Sequence, residues 1–403
     1  MKFKYKAKNS KGEIQEGFVE ALSLKAANEI LVQNGLLVIE IKNFKERNFI
    51  IAFLLKYWEG VRPKEFVIFS RQLSVLIDAK VPILSALDSI ALQLDNKFFA
   101  LKIKAIISDI DGGLSFAEAL EKHQDVFSKF YINMVRAGET SGNLQKNLND
   151  LADNIEKNYE LTSKLRGAMY YPAFIFSAMM VVGFLVMAFV MPKLLAILVE
   201  SKATLPIQTK ILIAISGFLA NYWWAVMIVG IGLVIAFFYY IRTEDGKNEF
   251  DQLILKTPII KTILNNIYVA RFTENICTLL QSGLPITTSL MITSDVVGNE
   301  VYRRILREAM NEIKKGEGMA HVFKQYEIIP PVVAQMIKVG ESTGRLDYTL
   351  KKITDFYMKE ADRMVKNFSV LIEPVIMVVL AIGVGILVSA VLLPIYQVAT
   401  SIK

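Results

Sequence analysis

The chain has 403 residues, of which 53% are hydrophobic and 21% are charged, and its net charge is +7. This hydrophobic share is too high for an average soluble protein, and the charged share is too high for a chain lying mostly within a membrane. The single cysteine, Cys277, excludes an intramolecular disulfide framework. The modest positive charge suits anionic lipid at least as well as nucleic acid, which we do not expect as a direct partner.

Residues 1–43 are predicted to form a small N-terminal α/β module. Apolar and polar residues alternate over Phe3–Ala7 and again over Ile14–Glu20, which predicts a hairpin. Ser23 begins a predicted helix that ends before Gly35, and a short apolar strand follows at Leu36–Ile41. No signal peptide is expected, because the first 35 residues lack a long apolar core.

Residues 44–64 are predicted to be a linker, and residues 65–171 a helical bundle. The apolar patch Phe49–Leu55 in the linker is too short to span a bilayer. In the bundle, apolar residues recur at helical spacing from Phe66, and further helices are predicted at about 98–110, 115–122 and 128–137. A last helix is predicted to run from near Leu144 into the membrane without a break.

The bundle occurs twice. The stretch Gly-Glu-Thr-Ser-Gly-Asn-Leu at 138–144 returns as Gly-Glu-Ser-Thr-Gly-Arg-Leu at 340–346, which predicts an internal duplication. An offset of 203 aligns Pro82 with Pro285, and an offset of 202 aligns Pro172 with Pro374. The second repeat is therefore predicted at 269–373, after a connector at 242–268.

Each copy of the motif is predicted to be a tight turn between two helices and a candidate partner-binding site. The first glycine of each copy can take the positive φ that closes a helix, and the hydroxyl pairs Thr140/Ser141 and Ser342/Thr343 can cap the next helix. The glutamate is not explained as a turn former. The candidate residues are Gly138, Glu139, Gly142, Gly340, Glu341, Gly344 and, beside Pro374, Glu373.

Charge-free stretches predict membrane spans. Residues 167–192, 211–241 and 374–402 carry no charged residue, and each exceeds the roughly 20 residues that a spanning helix needs. The predicted transmembrane helices are 172–192, 211–241 and 374–396, with an outer loop at 193–210 and an outer tail at 397–403. Because two spans separate the repeats, both bundles must lie on one side of the membrane, and we expect that side to be the cytoplasm. The N-terminus would then be cytoplasmic and the C-terminus outside.

The composition argues against an enzyme and against a small-solute transporter. His123 and His321 do not lie in a catalytic spacing, and no P-loop motif is present. The predicted spans hold no ionisable residue, although an ion or proton pathway usually needs one. A transporter with paired cytoplasmic domains stays open as the alternative, and a flux assay in reconstituted vesicles would separate the two classes.

The duplicated turn, the paired proline-led spans and the Phe-x-Tyr-x-Ala opening at residues 3–7 resemble one family. That family is the type II secretion system F domain family, and the resemblance covers the chain from Phe3 to Ile395. The fold class expected is mainly α: a polytopic membrane protein with two duplicated cytoplasmic helical bundles, three transmembrane helices and the small N-terminal α/β module.

The resemblance implies a non-enzymatic inner-membrane platform protein, acting as a homo-oligomer in type II secretion, type IV pilus assembly or DNA uptake (competence). Its implied partners are a cytoplasmic assembly ATPase, pilins or pseudopilins, and other inner-membrane assembly proteins. Some members look to have a calcium site, which would fall on Asp95, Asn149 and Asp153 in this chain. Asn149 stands where the secretion pattern has an acid, which weakens the site. No other cofactor is expected.

Overall fold

The computed structural model describes residues 2–8, 14–20, 28, 30–32, 35–44, 60–191 and 207–401. Within these ranges the chain is mainly helical. It divides into two compact units, Met1–Val61 and Arg62–Lys403.

The first unit contains an antiparallel sheet in the order β2-β1-β3. Its described strands are β1 (Lys2–Lys8), β2 (Ile14–Glu20) and β3 (Leu37–Phe44). Tyr5 pairs with Gly17 on one side and with Ile41 on the other. The two strands of the predicted hairpin are present, and the third strand runs beyond its predicted end. Most of the predicted helix and of the 44–64 linker lies outside the described residues, so the α/β character of this unit stays a prediction.

The first repeat consists of short amphipathic helices followed by one very long helix. The helices are α1 (Pro63–Asp78), α2 (Ile83–Gln93), α3 (Lys97–Asp111), α4 (Phe116–Glu121), α5 (Lys129–Ser141) and α6 (Leu144–Leu185). Asn96 and Ser128 cap α3 and α5, because each side chain accepts a hydrogen bond from the third amide after it. The helices predicted from periodicity are confirmed.

Aromatic rings form the core of this repeat. Phe69, Phe99, Phe127 and Tyr131 are almost completely buried. The ring centroids of Phe69 and Phe99 lie 5.1 Å apart, and those of Phe127 and Tyr131 lie 5.2 Å apart. Burial of each large apolar side chain contributes about 1.5–3 kcal/mol, so the packing of α1, α3 and α5 holds the repeat together.

Repeat 2 has the same order of helices, each numbered eight higher than its counterpart. Its helices are α9 (Pro258–Gln281), α10 (Ile286–Val296), α11 (Glu300–Lys314), α12 (Met319–Gln325), α13 (Pro331–Thr343) and α14 (Leu346–Ser401). Its core again contains aromatic residues, including Phe272, Tyr302 and Phe323. The first helix, α9, begins well ahead of Val269. The segment between the repeats forms α7 (Ile207–Arg242) and α8 (Glu244–Ile254).

The last helix of each repeat continues from the bundle into an apolar stretch. α6 is 42 residues long, or about 63 Å at 1.5 Å per residue, and α14 is 56 residues long. Pro172 lies inside α6 without ending it. A short π-helical segment, Val186–Val190, extends α6. The predicted continuity of both helices is confirmed, so each forms a rod from the motif turn into the apolar region.

Three of the described helices are long and apolar enough to cross a membrane, and they lie in Leu144–Val190, Asn221–Arg242 and Leu346–Ile386. Their apolar windows are almost entirely unburied within the chain. Phe174 and Met180, for example, are more than 70% exposed, which indicates that lipid covers them. α7 is interrupted at Tyr222, where φ is −120° and ψ is 23°. Its spanning part is therefore shorter than the predicted 211–241.

Candidate functional site at the duplicated turns

The first turn closes α5 at a glycine, but not at the predicted one. Gly142 has a φ of +71° and caps the helix, whereas Gly138 lies inside α5 in helical conformation. A Cβ on Gly138 would lie 2.8 Å from the Cα of Leu144 and 3.2 Å from the Cβ of Asn147. The prediction for Gly138 is therefore wrong: this glycine lets α6 pack directly against α5, and Gly142 takes the left-handed conformation.

The second turn repeats this division of roles. Gly344 has a φ of +67° and caps α13. Gly340 is buried inside α13, where a Cβ would overlap the Thr349 hydroxyl and lie 3.1 Å from the Cα of Leu346. The prediction for Gly340 is wrong for the same reason. In both repeats one glycine permits close helix packing and the other permits the turn.

The hydroxyl pairs do not cap the following helices, so that prediction is also wrong. Thr140 and Ser141 donate to the backbone carbonyls of Arg136 and Ala137, at 2.8 and 2.7 Å. Ser342 and Thr343 likewise donate to the carbonyl of Val339. All four residues still belong to the preceding helix, so the nearest acceptors are the carbonyls one turn back.

The motif glutamate of repeat 1 caps a different helix. The Glu139 Oε1 accepts a hydrogen bond from the Phe116 amide at 2.8 Å, and Oε2 accepts one from the Ala117 amide at 2.9 Å. These amides open α4, whose remaining first-turn amide at Glu118 donates to the Ser115 hydroxyl. A carboxylate at a helix N-terminus is stabilised by the unpaired amides and by the helix dipole. Glu139 therefore fastens α4 to the turn that starts α6.

The motif glutamate of repeat 2 makes the equivalent contact. The Glu341 Oε1 accepts from the Met319 amide at 2.6 Å, and Oε2 accepts from the Ala320 amide at 3.4 Å, at the start of α12. A Cβ on Gly318 would lie 2.9 Å from Glu341 Oε2, so a side chain at this position would require the carboxylate to shift. Sequence reasoning missed Gly318, although it stands where repeat 1 has the capping Ser115. We call each glutamate and its two amides a brace.

The residues of the predicted calcium site surround an arginine. The Arg71 Nη2 lies 2.6 Å from Asp153 Oδ1 and also contacts Glu156, and Arg71 Nη1 lies 3.4 Å from Asn149 Oδ1. The hydrogen bonds of Glu156 and Asp153 raise the pKa of Arg71. The guanidinium thus occupies carboxylate oxygens that a cation would need and offsets one of the two negative charges, so these residues do not fit calcium. Asp95 lies exposed after α2.

The described residues contain no group of three or more His, Cys, Asp or Glu side chains suited to a metal ion. Glu373 lies exposed within α14, and its predicted role as a partner contact stays a prediction. The turn residues cluster separately in each repeat, with Gly138, Glu139 and Gly142 at one turn and their counterparts at the other.

A buried polar seam joins the two repeats. The Asn154 Nδ2 donates to Asn275 Oδ1 at 3.1 Å, and Lys157 Nζ lies 3.4 Å from the carboxylate of Glu274, whose side chain is 6% exposed. Burial raises the pKa of the Glu274 carboxyl, and Lys157 offsets only part of that effect. Closer to the membrane, Leu161 and Ile267 form an apolar contact. Sequence reasoning missed Glu274, although it aligns with Arg71 and reverses its charge.

The fold and the paired turns define a class: a membrane-anchored scaffold of two equivalent helical bundles, each braced to a rod that enters the apolar region. The chain matches the family model described as type II secretion system (T2SS), protein F, over residues 69–192 and again over 272–394. Residues 1–42 match the N-terminal domain of type II secretion system protein F. The chain belongs to the type II secretion system protein F family.

Named relatives cover almost the whole chain. It is 34% identical over 397 residues to a type IV pilus assembly protein PilC of Thermus thermophilus, with 98% of each chain covered. It is 32% identical over 401 residues to PilC of Myxococcus xanthus, covering 100% of this chain and 96% of the relative. It is 27% identical over 395 residues to type II secretion system protein F of Pseudomonas aeruginosa, covering 98% and 97%.

Proposed function

We propose that this chain is the inner-membrane platform protein of a type IV pilus or type II secretion assembly machine. One observation carries the proposal: relatives named for these machines align with the chain from end to end. The identity is 34% and 32% to the two PilC proteins and 27% to the secretion protein. That difference favours pilus assembly over protein secretion, while DNA uptake is a further use of the same machinery.

The arrangement proposed in the membrane follows from the spans. Two spans separate the repeats, so both bundles lie on the same side, and we place that side in the cytoplasm with the N-terminus. The C-terminal tail 397–403 and the loop 193–210 then lie outside. The N-terminal α/β module at 1–43 and the bundles at 65–171 and 269–373 are the cytoplasmic parts of this layout.

The partners proposed are a cytoplasmic assembly ATPase, pilins or pseudopilins, other inner-membrane assembly proteins and further copies of the chain. The chain would act mechanically and make or break no covalent bond. Movement taken up by a bundle reaches the membrane through α6 or α14, because each rod is a single continuous helix from its turn. Glu139 and Glu341 support this role by fixing a short helix of the bundle to the base of the rod.

The proposed function is tested by deleting the gene in its host and restoring it on a plasmid. We expect surface fibres to disappear on deletion and to return with the wild-type chain, as seen by electron microscopy and by shearing. Unchanged fibres and unchanged protein secretion in the deletion strain would contradict the proposal. Loss of a solute flux without loss of fibres would instead favour a transporter.

A further inference from the structure

The contact between the two repeats is not symmetric. It joins the last two helices of repeat 1, α5 and α6, to the first two helices of repeat 2, α9 and α10, and α6 also contacts one side of α14, where Lys164 Nζ lies 2.7 Å from Asp362 Oδ1. Lys129 on α5 lies 3.0 Å from Asp295 on α10, and Asn154 on α6 bonds Asn275 on α9. We call the first two helices of a repeat its leading face and the last two bundle helices of a repeat, α5/α6 or α13/α14, its trailing face. Within the chain, Leu92 of the leading face of repeat 1 stays exposed, and so do Pro331, Phe356 and Lys359 of the trailing face of repeat 2.

The two remaining faces carry exposed apolar side chains at the equivalent positions. Leu92 on α2, which aligns with Asp295, is 74% exposed, and Phe356 on α14, which aligns with Asn154, is 59% exposed. These are among the large exposed apolar residues outside the apolar windows of the spans. A single exposed apolar residue needs no explanation, but exposed apolar residues at matching positions of the two faces are expected if these faces cover each other.

The substitutions on the two remaining faces match each other. The ion pair Lys129–Asp295 within the chain corresponds to Pro331 on α13 and Leu92 on α2, so a charged pair is replaced by an apolar pair. The amide pair Asn154–Asn275 corresponds to Phe356 and Gln72. Both charged residues of the first pair have apolar counterparts, Pro331 and Leu92, as expected if these two residues contact each other rather than water.

Charge is complementary where the buried seam has Lys157 and Glu274. The corresponding positions are Lys359, which is exposed, and Arg71. Arg71 is held between Asp153 and Glu156, so this cluster carries a net charge of about −1 at neutral pH. Lys359 would therefore meet a negative cluster, as Lys157 meets Glu274.

We propose that the leading face of repeat 1 binds the trailing face of repeat 2 of a second copy of this chain. The occupant is a second copy because the surface continues an interface that the chain already makes with itself. The rods α6 and α14 enter one membrane, so successive copies are related by rotation about the membrane normal. Such a head-to-tail interface closes into a ring when the rotation divides a full turn.

The contact between copies is strongest away from the membrane. Toward the membrane, the apolar pair Leu161–Ile267 of the seam corresponds to Arg363 and Lys64, two like charges. Arg363 lies 2.6 Å from Glu360, which offsets part of this repulsion. Neighbouring copies therefore touch near Leu92 and Phe356 and separate near the bilayer.

The test is cysteine cross-linking of full-length chains in membranes. One chain carries Leu92→Cys and a second, with a larger tag, carries Pro331→Cys, and both are expressed together and treated with a short bismaleimide. The native Cys277 is buried, and burial raises its pKa to about 11, so it is left in place as an unreactive thiol. The in-chain control is Lys129→Cys with Asp295→Cys, the partly exposed counterparts of Pro331 and Leu92, which should link the two repeats of one chain.

We expect a heterodimer of the two tagged chains, and no homodimer of either chain alone. A chain that carries both Leu92→Cys and Pro331→Cys should give a ladder of dimers and larger species. Dimers of the Leu92→Cys chain by itself would show a two-fold interface and overturn the proposal. Absence of the heterodimer, with the in-chain control linked, would also overturn it. The cross-linking does not require fibre assembly. A negative result would therefore contradict this interface without contradicting the proposed function.

Discussion

Repeat 1 and repeat 2 share a fold and differ in charge at one position of their first helix. Arg71 in repeat 1 lies half-exposed and binds Asp153 and Glu156 of its own repeat. Glu274, at the same position of repeat 2, is buried against Lys157 of the other repeat. The first arrangement closes a cluster within one bundle, whereas the second joins two bundles. Duplication therefore produced the same helix surface in both repeats. The opposite charge at this one position makes Arg71 bind its own repeat and Glu274 bind the other repeat.

The largest effect on stability is expected at the first motif glycine, which packs in the same way in both repeats. Gly138→Ala and Gly340→Ala place a Cβ against the backbone of the following helix, and overpacking of this kind costs about 1–3 kcal/mol. Both variants should lower the thermal unfolding midpoint of the full chain in detergent. Gly167→Ala is the control, since nothing lies within 4 Å of its Cβ. A similar midpoint for all three variants would contradict the packing role of the motif glycines.

The pH dependence of stability distinguishes the repeats. Burial raises the pKa of Glu274 in the folded chain above its unfolded value of about 4.3. The stabilising contribution of Glu274 to the free energy of unfolding is therefore fully present below pH ~4.3 and is lost as pH rises through the folded pKa. Glu274→Gln removes this loss, so the variant should gain stability relative to wild type as pH rises over that window.

Unfolding measured at a series of pH values checks this prediction. The control is Glu327→Gln, which removes an exposed carboxyl of repeat 2 and so separates the effect of the substitution itself from that of burial. A profile for Glu274→Gln parallel to that of the wild type would mean that the ion pair with Lys157 keeps the carboxylate fully compensated.

Calcium should affect only a variant of repeat 1. The wild-type midpoint should not change with millimolar calcium, because Arg71 already occupies the carboxylate oxygens of Asp153 and Glu156. Arg71→Ala leaves Asn149, Asp153 and Glu156 as three oxygen-bearing side chains on one helix face, a donor set that calcium accepts. Calcium should then raise the midpoint of this variant more than magnesium does. A midpoint of the wild-type chain that falls with a chelator would contradict the cationic role of Arg71.

The smallest effect is expected at the motif hydroxyls. Thr140 and Ser342 are exposed, and each donates to a carbonyl of the preceding helix turn. Thr140→Ala and Ser342→Ala should change stability by less than about 0.5 kcal/mol, as for ordinary surface positions. A loss of ~1 kcal/mol or more in denaturant unfolding would indicate a capping role after all.

Periodicity, duplication and charge-free stretches predicted the helices, the repeat offset and the continuity of α6 and α14 into the apolar region. These features depend on local pattern along the chain. The roles within the motif were not predictable in the same way. Which glycine turns and which one packs depends on where Leu144 and Asn147 return, and the role of Glu139 depends on amides 23 and 22 residues earlier.

The predicted calcium residues show the same limit. The spacing of Asn149 and Asp153 correctly put both on one helix face, but the cation beside them comes from α1, 82 residues before Asp153. Glu274 was missed because a lone glutamate in a predicted helix is usually a surface residue. The alignment of Glu274 with Arg71 was visible in the sequence, but the reason for the charge reversal is seen only in the contact of Glu274 with Lys157.

The central claim is that the motif glutamates brace each bundle to its rod and that fibre assembly needs this brace. The most direct measurement is the number of surface fibres in a deletion strain that expresses Glu139→Gln or Glu341→Gln, beside Thr140→Ala and Ser342→Ala at adjacent positions. A glutamine keeps the volume but offers one carbonyl oxygen to two amides. We predict loss of fibres in both glutamine variants and wild-type fibres in both alanine variants, with equal amounts of each chain in the membrane. Wild-type fibres in both glutamine variants would contradict the account.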